Sequence, residues 1–340
     1  MIEMLHKSLI SDFKKYKYDI IIWKNERGIS MTNLLFLKPI FHEKIWGGNR
    51  LATTFNYEIP SNQTGECWAI SAHKNGDCHI LNQEYQHMTL SKLWQEHREL
   101  FGGVEGNEFP LLTKILDASD DLSVQVHPDD EYGLRVEGEL GKTECWYILD
   151  ADEDAELIFG HTAKTREELT KMIEQGQWDD LLTKVRVQPG DFFFVPTGTI
   201  HALKQGTLVL ETQQSSDTTY RVYDYDRLDD QGQLRPLHIE KSIDVTTVPH
   251  QLTQPTPIIK TIEDAEVTTY VTCEYFTVSK VILNGTYSTP HEKPFTLVSV
   301  LSGEGTANGQ PIKKGDHFIV PSSVAHLNYT GTLELMVSSL

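Results

Sequence analysis

Gln125 and His127 are two residues apart in Ser123-Val124-Gln125-Val126-His127-Pro128-Asp129, so on a strand both project from one face. Lys142-Thr143-Glu144 reads as part of a following strand and His201 lies beyond it. A barrel could therefore aim Gln125, His127, Glu144 and His201 at one point. Two imidazoles, one carboxylate and one amide oxygen form a nitrogen/oxygen set without a thiolate. Such a set suits zinc with a position left open for water or substrate, and it could equally hold iron or manganese. A single histidine is more often a surface or hydrogen-bonded residue than a ligand, and His42, His73, His79 and His161 are read that way. His127 and His201, with Glu144 between them in the chain, are read as ligands.

The elements that must hold these groups are mostly strands. Val/Ile/Phe/Tyr runs broken at short intervals by Gly, Pro, Asn and Asp point to antiparallel sandwiches or barrels. An internal repeat sharpens this. Gly190-Asp191-Phe192-Phe193-Phe194-Val195-Pro196, ending at His201, is echoed by Gly315-Asp316-His317-Phe318-Ile319-Val320-Pro321, ending at His326. Upstream, Glu144 corresponds to Thr296, and the longer spacing in the first copy is explained by a helical insertion at about 162–185. Thr165 and Glu168 form a capping-box pattern that starts this insertion, Gly176 ends its first helix, and residues 178–185 read as a second short helix. Leu90, Leu93, Trp94 and Leu100 recur at helical spacing after Thr89, a candidate N-cap.

A chain of 340 residues exceeds what one hydrophobic core usually organises. With 39% hydrophobic and 23% charged residues it is globular, and no apolar run approaches bilayer length. The net charge of −19 repels polyanions, so neither nucleic acid nor membrane is expected as a partner. Cys67, Cys78, Cys145 and Cys273 form no CxxC pair, which fits a reducing cytoplasm. Residues 1–30 differ in character from the rest of the chain, and Met31 is expected to be the true start, with the preceding segment dispensable. The organisation expected is a catalytic, metal-binding domain over 31–245 and a degenerate copy over 246–340.

The spacing of Gly190, Pro196, Gly198 and His201 resembles the second conserved motif of cupins, small jelly-roll barrels that carry a metal in the mouth. The implied fold is mainly β, with two cupin-type jelly-roll barrels and a small helical insertion. Three further stretches make the likeness closer: Phe41-His42-Glu43-Lys44-Ile45-Trp46-Gly47-Gly48, Gly65-Glu66-Cys67-Trp68-Ala69-Ile70-Ser71, and Lys114-Ile115-Leu116-Asp117 leading to Gln125-Val126-His127-Pro128-Asp129. Together with Lys142-x-Glu144 they resemble the type I mannose-6-phosphate isomerases, in the short bacterial form, from about residue 34 to the end. The resemblance implies one zinc per chain held by Gln125, His127, Glu144 and His201. It also implies a catalytic arginine at Arg221 in Thr219-Tyr220-Arg221-Val222-Tyr223, and conversion of D-mannose 6-phosphate to D-fructose 6-phosphate through a cis-enediol. The residues flanking Arg221 follow the short-form pattern and depart from the longer relatives.

A sugar phosphate entering so acidic a protein needs local cations. Lys114, Lys142 and Arg221, with the Ser123 hydroxyl, are the candidates for holding substrate, and Lys142 is placed with Arg221 in the catalytic group. Two rival readings stand beside this one. A cupin oxygenase would show a more histidine-rich iron site than one whose first position is Gln125, and a non-catalytic sugar-binding cupin would have no need of the intact ligand set. The second barrel is expected to carry no metal, because Thr296 replaces Glu144, and His326 is expected to be buried or hydrogen-bonded.

Overall fold

Both copies of the repeat turn on a glycine in the left-handed region, Gly190 at φ +95° and Gly315 at φ +88°, a conformation that costs glycine nothing. The strand after each turn docks in the same way. Phe192–Val195 pairs with Glu144–Ala151 so that Val195 faces Glu144, and His317–Pro321 pairs with Phe295–Ala307 so that Val320 faces Thr296. His201 and His326 each open the next strand, His201–Leu203 and His326–Ser339. The repeat in the sequence is thus a repeat in register, and Glu144 and Thr296 occupy matching places.

These observations come from a computed structural model that describes residues 34–229, 231–251 and 254–340. The expectation about Met31 and residues 1–30 lies outside the described residues. The described residues cluster as one compact unit. Its fold is mainly β and antiparallel, built as two cupin-type jelly-roll barrels with few helices. The first barrel stacks a six-stranded sheet on a five-stranded one. Between them lies a core of Trp46, Leu116, Trp146, Ile148, Leu157, Phe159 and Leu203. A nine-stranded sheet curls around Val298, Val300, Phe318, Val320, Leu333 and Leu335 to make the second.

The two barrels share a further apolar layer. Cys67, Ala69, Ile115, Cys145 and Leu210 on the outer face of the six-stranded sheet meet Val278, Phe295, Leu297 and Ile319 of the second barrel, with Trp94, Phe101 and Phe109 wedged alongside. The barrels also exchange backbone. Leu35–Lys38, near the start of the described chain, lies in the sheet of the second barrel, pairing with His317–Pro321 on one side and His79–Ile80 on the other.

The helical insertion begins as its sequence predicts: Thr165 Oγ1 accepts from the Glu168 amide at 3.2 Å and Glu168 accepts from the Lys164 amide at 2.7 Å. Arg166–Glu174 and Trp178–Leu181 are the helices. The second is shorter than expected, because residues 182–185 belong to a strand, Leu182–Arg186, whose alternating buried and exposed side chains pair with Glu156–His161. The helix Leu90–Glu96 also differs in its cap. The Thr89 side chain makes no capping bond, and the free amide of Ser91 is satisfied from outside by Asp77 Oδ1 at 3.0 Å. All four cysteines are free thiols, and among the described residues no helix is long and apolar enough to cross a membrane.

Candidate metal centre and active site

His127, Glu144 and His201 meet inside the first barrel, and none of the three is more than 1% exposed. Each arrives from a different strand region. His127 follows Val124–Val126, Glu144 opens Glu144–Ala151, and His201 opens His201–Leu203. Backbone carbonyls fix the imidazoles: His127 Nδ1 lies 2.9 Å from Thr218 O, and His201 Nδ1 lies 2.8 Å from Thr199 O. A carbonyl only accepts, so both Nδ1 atoms carry the proton and both Nε2 atoms present lone pairs. Those lone pairs face each other at 3.1 Å. Glu144 Oε1 is 3.4 Å from His201 Nε2, and Oε2 is 3.5 Å from His127 Nε2.

This arrangement places acceptors against acceptors. The Lys142 ammonium forms an ion pair with Glu144 Oε2 at 2.9 Å, while Oε1 of this fully buried carboxylate has no hydrogen-bond partner. Lys142 answers one carboxylate oxygen, but His201 Nε2 and Glu144 Oε1 face each other with no proton between them, and buried lone pairs left opposed in this way favour a bound cation. Two imidazole nitrogens and a carboxylate are the donor set of a divalent transition metal, and these residues fit one. Burial, with the charge of Lys142 beside it, pushes His127 well below its ordinary pKa, and burial pushes His201 down to about 4, so both imidazoles are held neutral as ligands must be.

Gln125 lies on Val124–Val126 directly opposite His201 on one side and Arg221 on the other. Residues opposed across antiparallel strands share a face, so Gln125, His201 and Arg221 project together. Arg221 donates from Nη1 to Pro236 O at 2.8 Å, while its Nε is buried without a partner. Asp224 is engaged by Arg227 and Arg235, and among the described residues no carboxylate sits within ion-pair distance of Arg221. Lys142 Nζ reaches the cluster, 3.3 Å from His127 Nε2. Burial alone would lower the Lys142 pKa, but Glu144 and Glu211 beside it raise it. Ser123 is buried ahead of Gln125. Lys114 is buried beside other groups: its Nζ is 3.8 Å from Glu211, 3.9 Å from Asp217 and 4.6 Å from the centre of the Trp68 ring.

Glu211 escapes the sequence reading. It lies on Thr207–Gln214 opposite both Lys114 and Trp146, is 3% exposed, and accepts from Trp146 Nε1 at 3.0 Å. Burial, with Glu144 nearby, raises its pKa. A lone acidic residue inside the buried run Leu208-Val209-Leu210-Glu211-Thr212 was the available signal. Glu66 has a similar setting, accepting from Trp68 Nε1 at 2.6 Å with Lys44 3.3 Å away. In the second barrel the expectation for His326 fails. It is exposed, at the start of a strand whose next residue, Leu327, takes the inward position. The buried histidine there is His317, bonded to Ser299 and Tyr57, and Thr296 at the Glu144 place is bonded by His291 Nε2 at 3.0 Å. Among the described residues only the His127, Glu144 and His201 group could hold a metal.

Two family models match the chain, the catalytic domain of type I phosphomannose isomerase over residues 34–166 and the cupin domain of mannose-6-phosphate isomerase over residues 266–340. The mannose-6-phosphate isomerase ManA of Bacillus subtilis is 55% identical over 314 residues, spanning 91% of this chain and 99% of that protein. This chain belongs to the type I mannose-6-phosphate isomerase family. A mannose-6-phosphate isomerase of Streptococcus mutans is 53% identical, spanning 91% of this chain and 98% of its own. The crystal structure of the mannose 6-phosphate isomerase from Bacillus subtilis superposes with a TM-score of 0.88 at 50% identity, covering 90% of this chain and 99% of that one. Membership of the mannose-6-phosphate isomerase family makes the chain a sugar-phosphate isomerase, and the buried His/Glu/His group is where its metal chemistry would sit.

Proposed function

We propose that this protein interconverts D-mannose 6-phosphate and D-fructose 6-phosphate through a cis-enediol, using one zinc ion per chain held by Gln125, His127, Glu144 and His201. The observation that supports the metal dependence is the convergence of two unprotonated Nε2 atoms and the Glu144 carboxylate in a fully buried site. The isomerisation moves a proton between C2 and C1 while the carbonyl migrates the other way, and its difficult step is ionising a carbon acid. Bound in this site, a divalent metal supplies charge stabilisation for the developing oxyanions.

The chain's own residues do the rest. His127 and His201 are kept in the ligating tautomer by Thr218 O and Thr199 O. The Arg221 guanidinium shares a face with Gln125 and His201 and has no carboxylate partner, so its donors are available to substrate oxygens. Lys142, beside Glu144, adds a second positive charge at the reacting end. Lys114 and the Ser123 hydroxyl complete the set assigned to substrate, with the phosphate drawn to these cations against the overall negative field. Metal chemistry belongs to residues up to 245, and the barrel from 246 on has lost it. Four unpaired thiols fit a cytoplasmic protein, with a small sugar phosphate and no nucleic acid or membrane as partner.

A coupled assay on mannose 6-phosphate tests the proposal. Turnover should vanish on chelation and return with added zinc. A zinc-loaded protein that leaves mannose 6-phosphate untouched, or one that consumes oxygen instead, would defeat it.

A further inference from the structure

The two histidines that face each other in the centre are held by very different means. His201 Nδ1 bonds to Thr199 O, two residues back in its own turn, so its orientation is set locally. His127 Nδ1 bonds to Thr218 O, 91 residues away, on the segment between the strands Thr207–Gln214 and Tyr220–Tyr223. The orientation of His127 is therefore only as firm as that segment.

Among the side chains from outside that hold this segment, Glu139 is the one bonded to the Thr218 hydroxyl. Glu139, in the loop between the helix Asp130–Val136 and the strand Glu144–Ala151, accepts at Oε2 from Thr218 Oγ1 at 3.2 Å and from the Asp217 amide at 3.4 Å. Its other oxygen, Oε1, is 2.6 Å from Lys74 Nζ and 3.6 Å from His73 Nε2. The Glu139 side chain is only 20% exposed, whereas Lys74 is 72% exposed, so the two oxygens serve different ends. Oε2 grips the backbone and hydroxyl of the segment carrying the His127 partner, and Oε1 rests on a solvated ammonium whose removal leaves water in its place. Asn75 Nδ2 adds a bond to Asp217 Oδ2 at 2.9 Å, joining the same three loops.

We infer that Glu139 is a positioning residue for the metal centre, acting through Thr218 to hold His127 in its ligating orientation and tautomer. This rests on the metal reading proposed above. Partners of ligating histidines change metal affinity by about 10- to 100-fold when removed. Glu139 is one bond further out, and the effect reaches the metal only through the carbonyl it fixes.

The test is a chelator-competition titration of Zn²⁺ on the purified full chain, with the visible absorption of the Co²⁺-loaded protein as a second readout. Glu139→Ala should weaken Zn²⁺ binding about 10-fold, the low end of that range, and shift the cobalt bands, with far-ultraviolet dichroism unchanged. Glu139→Gln keeps an acceptor for Thr218 and Asp217, and Lys74→Ala removes only the ion pair, so both should bind within about threefold of the wild type, as expected where a surface pair contributes little. A Glu139→Ala protein with wild-type affinity and spectrum, or a Glu139→Gln protein as weak as the alanine variant, would overturn the inference while leaving the metal site standing. A wild-type chain that binds neither ion would overturn the metal reading itself, and this inference with it.

Discussion

His201 and His326 hold matching places in the two copies of the repeat, yet one is wholly buried beside His127 and Glu144 and the other is exposed. His201→Ala should abolish stoichiometric metal, and His326→Ala should leave one ion per chain. Elemental analysis checks this, and two ions per wild-type chain would refute it. Arg221 presents donors without a carboxylate partner, so Arg221→Ala should lower kcat and kcat/KM together, on the order of 100-fold, while metal content and Tm hold. A rise in KM alone would reassign it to ground-state binding. Glu66 ties pH to stability. Burial by itself would raise its pKa, but Lys114, Lys44 and the Trp68 indole outweigh that and hold it at about 2, against an ordinary value of 4.5. A carboxyl depressed in the folded state stabilises fully above its unfolded pKa and loses that contribution as pH falls toward 2. Glu66→Gln should therefore flatten the acid limb of the stability curve between those values, removing on the order of 3 kcal/mol at neutral pH, measurable by urea titration across the range. The cluster of His127, Glu144 and His201 was legible because period-two alternation and the repeat locate these residues. Glu211 and Glu139 were not, since what marks them is contact with residues 65 to 79 positions away.

Strand and helix termini show the same division between local and distant causes. The Thr165 cap was readable because donor and acceptor lie within one helical turn. The helix Leu90–Glu96 looked equally well provided, with Thr89 in the right place, but its amide is capped by Asp77, fourteen residues away. Asp77→Ala should thus cost about 1 kcal/mol, visible as a lowered Tm, and Thr89→Ala should cost far less. Equal losses would mean that Thr89 does cap the helix in solution. Residues 182–185 read as helix because Leu181-Leu182-Thr183-Lys184 continues a helical run without Gly or Pro. Pairing with Glu156–His161 overrides that local preference, as tertiary context routinely does.

At the scale of the whole molecule, the repeat announced two barrels and the comparison with solved structures agrees. What no pattern announced is how tightly they are joined. Phe295 of the second barrel is fully buried against Trp94, Phe101 and Phe109, ring to ring. Phe295→Ala should cost about 3–5 kcal/mol. Calorimetry should show one transition moved as a unit, and a second barrel melting on its own would contradict the shared core.

The strand Leu35–Lys38 carries this union into the time of synthesis. It leaves the ribosome early, but its partner His317–Pro321 is made about 280 residues later, which at about 5–20 residues per second is a wait of tens of seconds. Through that interval Leu35 and Leu37, buried in the finished protein, have only the two-residue strand His79–Ile80 to pair with, and the first barrel presents the apolar layer meant for the second. The nascent chain should therefore expose apolar surface until its last strands emerge. A message truncated after residue 245 should yield aggregated protein rather than a soluble half-enzyme.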